Sequence, residues 1–316
     1  MSGHKNNYDV SHSVNTTDAA AVNAEVSRIF RDLCPDSSTS KINRAILDLD
    51  SLHHGRFPGF HACDTAYHDI QHVLDVTLAM ARLMDGCERA GIAAESFCAP
   101  LFCLGVVTAL FHDCGYVRTL DDTEHRNGGQ LTLTHVSRGA RFLKKYLPQI
   151  GMGDVADIAA NPIHFTGYET PVAQIEVPSL RHKLLGNLLG SAEIIAQMSD
   201  RCYLEKCRNR LYPEFVAGGI ARKRLPNSQD DVLFESGDDL VMKTPQFYEG
   251  ATRRLELDLG GCHHYTKNHF GGQDLYLKEI SKNVRFAQAI TKKHDTSALK
   301  RIPPETLPVD TGDTLA

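Results

Sequence analysis

The chain has 316 residues, of which 42% are hydrophobic, enough to build a large core without disulfides. Its formal net charge of -5 argues against a broad basic groove for nucleic acid, although a metal ion would still attract a small anionic substrate. The nine cysteines form no C-x-x-C pair, which is typical of core residues in a reducing compartment. Residues 1–18 contain no apolar signal segment, and the apolar run 98–111 is too short to span a bilayer. We therefore expect a cytoplasmic protein with no membrane segment.

Apolar residues recur with helical spacing along most of the chain, and strand-like alternation is rare. This pattern predicts an all-α protein built as a single bundle of packed helices over 18–294, with flexible termini at 1–17 and 295–316. Two polar segments, 115–130 and 225–239, are predicted to be loops. The predicted helices cover 18–34, 40–53, 65–85, 96–114, 131–147, 153–160, 179–199, 200–222, 246–258 and 273–292.

The third predicted helix carries the first candidate site residues. Asp64 or Thr65 is the expected N-cap, and Gly86 is the expected end of the helix. His68 and His72 are four residues apart, so on a helix they share one face. Taken alone, such a pair is as often structural as functional.

The segment 101–111 is almost wholly apolar and is followed directly by His112 and Asp113. An imidazole and a carboxylate at the end of a buried helix are costly unless something binds them, and a metal ion is a natural partner for both. The alternative is a buried hydrogen bond between the two. Because adjacent residues on a helix point about 100° apart, a shared third partner is favoured.

Three further residues, His135, His164 and Glu193, follow at even spacing. Any one of them would more often be structural than a ligand. Glu193 lies among apolar and small residues, so it is the hardest to explain as a solvated charge. The adjacent pair His263–His264 is left out of the predicted centre, because neighbouring histidines diverge on a helix.

This order of residues resembles the HD superfamily of metal-dependent phosphohydrolases. The block Tyr67–His68–x–x–x–His72 is similar to the first metal-site helix of cyclic-nucleotide phosphodiesterase catalytic domains. His135 and the segment from His164 to Tyr168 are more similar to the HD-GYP and general HD hydrolases. The resemblance spans about 65–200 and departs from these families at Glu193, where they usually have aspartate. It also departs after the His–Asp pair, where the further histidine and Gly–Asn block of the phosphodiesterases are absent. Near His164 and after Tyr168 it lacks the paired histidines and the proline of HD-GYP proteins.

The resemblance implies an HD/phosphodiesterase-like bundle that holds two divalent metal ions, whether iron, manganese, zinc or magnesium. It implies that Asp113 is a catalytic residue bridging the two ions, and that His68 is the general acid that protonates the leaving oxygen. The implied metal ligands are His72, His112, Asp113 and Glu193 for the first ion, with Asp113, His135 and His164 for the second.

The implied activity is hydrolysis of a phosphomonoester or phosphodiester by metal-activated water, with a nucleotide or cyclic nucleotide as the small phosphorylated substrate. Arg118 and Arg138 are candidates for phosphate binding, although ordinary surface charges explain them equally well. Two other functions stay open at this point. One is an HD-type di-iron oxygenase, and the other is a non-enzymatic ligand-sensing domain, against which the full ligand set argues.

Overall fold

The computed structural model describes residues 6–91, 97, 99–224 and 230–307. Helices dominate the described chain, and the two named strands, β1 (Arg222–Arg224) and β2 (Asp230–Val232), form one short antiparallel pair. The all-α prediction is therefore confirmed. The helices are α1 (Ala19–Leu33), α2 (Ser40–His53), α3 (Ile70–Ala90), α4 (Ala99–Leu110), α5 (His135–Tyr146), α6 (Ala156–Ala159), α7 (Leu180–Ser199), α8 (Tyr203–Lys206), α9 (Tyr212–Ala217), α10 (Gly237–Met242), α11 (Thr244–Arg253), α12 (Thr266–His269) and α13 (Leu275–Lys293).

The centre of the bundle is α3, which packs against α1, α4, α7 and α12. Its neighbour α4 is buried from Leu101 to Leu110. Among the described residues, Ala99–Tyr116 is the one stretch long and apolar enough to cross a membrane by composition, and 89% of it is buried inside the protein. Burial on all sides explains why α4 is apolar around its whole circumference. Cys103, Cys202 and Cys207 are buried as expected, whereas Cys98 lies outside the described residues.

The beginning of α3 differs from the sequence prediction. The helix begins at Ile70, and the Asp69 carboxylate caps it by accepting the backbone N–H of His72 at 2.9 Å. The predicted N-cap at Asp64 or Thr65 is wrong, and His68 lies before the helix rather than on it. The extended backbone at Asp69 turns His68 out of the helical spacing that the sequence suggested.

The end of α3 also differs. The helix continues to Ala90 and ends at Gly91, which has a left-handed backbone with φ 62°. Gly86 lies inside the helix, where a Cβ would be 1.8 Å from the carbonyl oxygen of Tyr265. Its small size therefore serves the close approach of another segment, not helix termination.

The later part of the chain contains two π-helical turns. One, Cys207–Leu211, lies between α8 and α9, and the other, Arg254–Asp258, follows α11. The first keeps α8 and α9 in one continuous helical run, as the sequence predicted for 200–222. The predicted loop 225–239 contains β2 and the start of α10, and its residues 225–229 lie outside the described chain.

Part of the predicted flexible N-terminus is packed against the bundle. Asp9 accepts a hydrogen bond from Arg82 of α3 at 2.6 Å, and both side chains are buried. Because a buried guanidinium needs a partner, Arg82 holds this segment in place, and Val14 and Thr16 are buried with it. In the C-terminal tail, Arg210 donates to the carbonyl oxygen of Pro304 at 2.6 Å. The division of the chain into one domain and two flexible ends stays a prediction.

Candidate metal centre and adjoining cavity

The candidate centre is built around the end of α4. His112 lies two residues after Leu110, the last residue of α4, and is 1% exposed. Its Nδ1 donates to the carbonyl oxygen of Ala109 at 2.7 Å, which leaves Nε2 as the atom that faces the centre. A second nitrogen fixed in this way is typical of histidines that bind metal.

Four side chains from three helical regions meet at this point. Asp113 Oδ2 is 3.0 Å from His112 Nε2 and 3.1 Å from His72 Nε2. Glu193 Oε2, from α7, is 3.0 Å from His112 Nε2 and 3.5 Å from His72 Nε2. The ligand atoms of His72, His112 and Asp113 all lie within 4.8 Å of one another. The structure thus brings together the four residues that the sequence assigned to a first metal ion.

The four meeting atoms are buried, and none takes part in a hydrogen bond: His72 Nε2, His112 Nε2, Asp113 Oδ2 and Glu193 Oε2. Buried polar atoms are seldom left in this state, because each one loses its water without a replacement. Ligand atoms about 2.0–2.2 Å from a common ion lie roughly 3.0–3.5 Å apart at coordination angles of 90–110°. The observed histidine–carboxylate distances match that spacing. His72, His112 and Asp113 therefore fit a metal ion, and Glu193 Oε2 lies within 3.5 Å of both histidine nitrogens.

The electrostatics of the centre call for positive charge. Burial opposes the charged form of each group, but the carboxylates of Glu193 and Asp113 overcome it and raise the pKa of His72 to about 10. The same carboxylates hold the pKa of His112 well above its usual value. In turn, the imidazoles keep the pKa of Asp113 and of Glu193 below the ordinary range despite burial. A cation supplies the positive charge that the two carboxylates demand.

The second oxygen of Asp113 faces His135. Asp113 Oδ1 is 3.6 Å from His135 Nε2, while His135 Nδ1 donates to the carbonyl oxygen of Thr132 at 2.7 Å. Gly115 permits this approach, because a Cβ there would be 1.9 Å from the carbonyl oxygen of His135. Asp113 is therefore placed between two sets of imidazoles, as a bridging ligand would be.

His164 is placed differently from the other predicted ligands. It lies in the 3-10 turn Pro162–Phe165, and its Nδ1 is buried without a hydrogen-bond partner. In the described part of the chain, no ion pair joins it to Asp113. Its role as a ligand of a second metal stays a prediction.

His68 is tied to a residue that sequence reasoning missed. Glu214 of α9 accepts a hydrogen bond from His68 Nδ1 at 2.6 Å and another from the backbone N–H of Tyr67 at 2.5 Å. Tyr116 lies between His68 and His135, with its ring centroid 4.2 Å and 4.3 Å from theirs. Glu214 orients the His68 ring and Tyr116 supports it from one face. No local pattern marks Glu214, because a glutamate in an amphipathic helix is commonplace.

Gln197 is a second residue that the sequence did not indicate. Its Nε2 donates to Glu193 Oε1 at 3.2 Å, and its Oε1 accepts from the Tyr67 hydroxyl at 3.1 Å. It lies one helical turn after Glu193 on α7, a spacing that would have linked the two. The outer oxygen of Glu193 is thereby held while Oε2 points to the centre.

The two candidate phosphate-binding arginines are engaged elsewhere. Arg118 donates to Asp64 Oδ2 at 3.2 Å, and Arg138 donates to the carbonyl oxygen of Gly115 at 2.8 Å. Neither is among the described residues that line the cavity beside the centre. Both tether the loop after the His–Asp pair, and their role in substrate binding stays a prediction.

A cavity of about 420 Å³ opens beside the centre. Its lining includes the candidate site residues His68, Asp113, His135 and Glu193. The lining also includes apolar and aromatic side chains, among which Phe215 and Phe234 stack with ring centroids 5.8 Å apart. Others are Leu211, Ile220, Leu240 and Phe247. This volume falls within the range of small-molecule sites.

The chain has the fold of phosphodiesterase domains, and the resemblance to the HD/phosphodiesterase-like proteins is confirmed at the level of the fold. One similar structure is the phosphodiesterase domain of Salpingoeca rosetta rhodopsin phosphodiesterase, with 14% identity, a TM-score of 0.53 and 93% of each chain covered. Another is the phosphodiesterase domain of the RhoPDE fusion protein from the choanoflagellate Salpingoeca rosetta, with 13% identity and a TM-score of 0.50. That comparison covers 93% of this chain and 97% of the other. No family model and no curated protein matches the sequence.

Proposed function

We propose that this protein is a metal-dependent phosphoric ester hydrolase of the phosphodiesterase type, acting on a nucleotide or cyclic nucleotide. The observation that carries the proposal is the meeting of four buried, hydrogen-bond-free ligand atoms, two of which belong to Asp113 and Glu193 in the lining of a cavity. The fold, shared with two phosphodiesterase domains, supports the same reaction class.

The first metal ion would be held by His72, His112, Asp113 and Glu193, and the second by Asp113 Oδ1 with His135. Divalent ions bound there would lower the pKa of water and offset the negative charge of the phosphoryl group. A donor set rich in imidazole nitrogen favours iron, manganese or zinc, while magnesium suits a second site richer in oxygen.

His68 would supply the proton that the leaving oxygen needs. His68 lines the cavity, and its Nδ1 is hydrogen-bonded to Glu214. Nε2 is therefore the ring nitrogen left to face the substrate. The oxygen of a hydroxide, formed when a water releases a proton to solvent, would bond to phosphorus as the bond to the leaving oxygen breaks, and His68 Nε2 would give its proton to that oxygen. The Glu214 carboxylate keeps the His68 ring in place for the transfer.

The apolar wall of the cavity supports a substrate with a flat, weakly polar group. Phe215, Phe234 and Phe247 belong to the cavity lining, and their aromatic surface would cover a nucleobase. Tyr168, also in the lining, is 68% exposed, with the guanidinium of Arg254 4.0 Å from its ring centroid. A nucleoside phosphate would use both kinds of lining, with its phosphate at the candidate ligands.

The test combines metal analysis with a panel of phosphomonoesters, phosphodiesters and cyclic nucleotides, assayed with iron, manganese, zinc or magnesium. We expect metal-dependent release of product without oxygen consumption, and loss of both metal and activity in His112→Ala and Asp113→Ala. His125→Ala is the control, because its ring pairs with Asp122 at 3.0 Å on the loop. Retention of metal and activity in both site variants would overturn the proposal.

A further inference from the structure

A second group of metal-ligating side chains lies outside the candidate centre. Glu256 follows α11 in the π-helical turn Arg254–Asp258, while His263 and His264 lie in the 3-10 turn Cys262–Tyr265. The ligand atoms of the three residues lie within 4.8 Å of one another. None of them takes part in the proposed hydrolysis.

The expectation that His263 and His264 diverge is wrong, because they are not on an α-helix. Gly260 and Gly261 have left-handed backbone, with φ 64° and 67°, and they reverse the chain just before the pair. The 3-10 turn then places the two imidazole rings face to face, with centroids 3.9 Å apart and a tilt of 37°. Both rings consequently present Nε2 to the same carboxylate.

The geometry suits a single small ion. Glu256 Oε1 is 3.5 Å from His263 Nε2 and 3.0 Å from His264 Nε2. Ligand atoms about 2.0–2.2 Å from a shared zinc ion have roughly this separation. The same separation is found at the candidate centre around His112.

The three side chains of the group differ in exposure. The side chain of His263 is 3% exposed, and its Nε2 faces Glu256 Oε1. The side chains of His264 and Glu256 are 54% and 45% exposed, which leaves an open path for an ion and for a water ligand.

We propose that Glu256, His263 and His264 form a second zinc site, with water in the remaining coordination position. Two imidazoles and one carboxylate are an ordinary zinc ligand set, and the affinity order of divalent metals favours zinc over iron or manganese at such a set. The ion would tie the π-helical turn after α11 to the 3-10 turn. That turn packs against α3 and α7, with the Tyr265 carbonyl lying directly over Gly86.

The experiment titrates the metal-stripped full-length chain with Zn²⁺, and with Co²⁺ as an optical probe of coordination. We expect His264→Ala and Glu256→Gln, which alter exposed side chains, to lose one equivalent of tightly bound metal and its Co²⁺ absorption. Removing a ligand should weaken that equivalent by at least about 100-fold, since even residues that only orient ligands contribute 10- to 100-fold. Phosphate-ester hydrolysis with the catalytic metal supplied should be unchanged in both.

His125→Ala is the matched control. His125 also pairs with a carboxylate, that of Asp122, but no second histidine takes part in that pair. A His112→Ala background separates this site from the catalytic centre: it should still bind one equivalent, which His264→Ala then removes. The proposal is overturned if His264→Ala and Glu256→Gln bind the same equivalents, with the same affinity, as the wild type and His125→Ala. This outcome is independent of whether the chain hydrolyses phosphate esters.

Discussion

Replacement of His68 tests the proposed proton donor most directly. The ring is 13% exposed, and its Nδ1 lies 2.6 Å from a Glu214 oxygen that is itself buried. This short contact to a carboxylate holds the ring in one orientation. Proton transfer from a positioned side chain contributes about 10²- to 10⁴-fold in rate, or roughly 3–5 kcal/mol of barrier. We expect His68→Ala to lose this much activity on a phosphodiester whose leaving group is an alkoxide.

The leaving group provides the diagnostic. The leaving group of a 4-nitrophenyl ester is 4-nitrophenolate, a stabilised anion that needs no proton. His68→Ala should therefore lose less than about tenfold in activity on this substrate. The assay is therefore the ratio of kcat/KM for the two substrates in the wild type and the variant, at equal metal content. Metal content should be unchanged, since His68 is held by Glu214 and not among the meeting ligand atoms.

Glu214→Gln extends the same test to the positioning residue. Exchanging a charge-assisted for a neutral hydrogen bond costs about 1–2 kcal/mol, which corresponds to a loss of roughly 5- to 30-fold on the alkoxide substrate. In the His68→Ala background the change should add almost nothing, because the two residues act as a unit. His125→Ala is again the control. Equal losses on both substrates, or loss of metal from His68→Ala, would refute the assignment and make His68 a ligand or a structural residue.

Three further predictions concern the ligand set, a close approach and pH. Glu193→Gln removes one of the two carboxylates at the centre, so it should lower metal affinity by about 100-fold, measured as metal retained after dialysis. Gly115→Ala should destabilise the protein by at least about 3 kcal/mol in urea unfolding, because the new Cβ meets the His135 backbone. Gly250→Ala is the contrast: this glycine lies in open space on α11, and the substitution should stabilise the protein by about 0.5–1 kcal/mol. Burial lowers the pKa of His53 to about 4. As the pH falls below 6.5, the unfolded chain binds a proton at this histidine and the folded chain does not. The free energy of unfolding therefore decreases by up to about 3 kcal/mol as the pH falls from 6.5 to 4. His53→Gln should flatten this part of the stability profile, and an unchanged slope would contradict the assignment.

Sequence patterns located the helices because apolar spacing is a local property of the chain. Helix ends were less well determined. The sequence alone offers several N-cap candidates before α3, and only the fold shows that Asp69 is used and that Gly86 makes room for Tyr265. His68 illustrates the consequence, because it reaches the cavity from outside the helix that was expected to carry it.

His112, Asp113 and Glu193 could be picked out from the sequence as candidate ligands because an imidazole or carboxylate in an apolar stretch has a cost that is visible locally, whereas His72 was assigned through the family resemblance. What the tertiary structure decided were the relations between distant segments. Glu214 meets His68 from 146 positions away along the chain. The apolar wall of the cavity and the facing rings of His263 and His264 likewise depend on turns whose geometry residue spacing does not reveal. The free-energy cost of burying a polar side chain, visible in the local sequence, identifies which side chains need a partner. Only the folded chain determines which partner each one has.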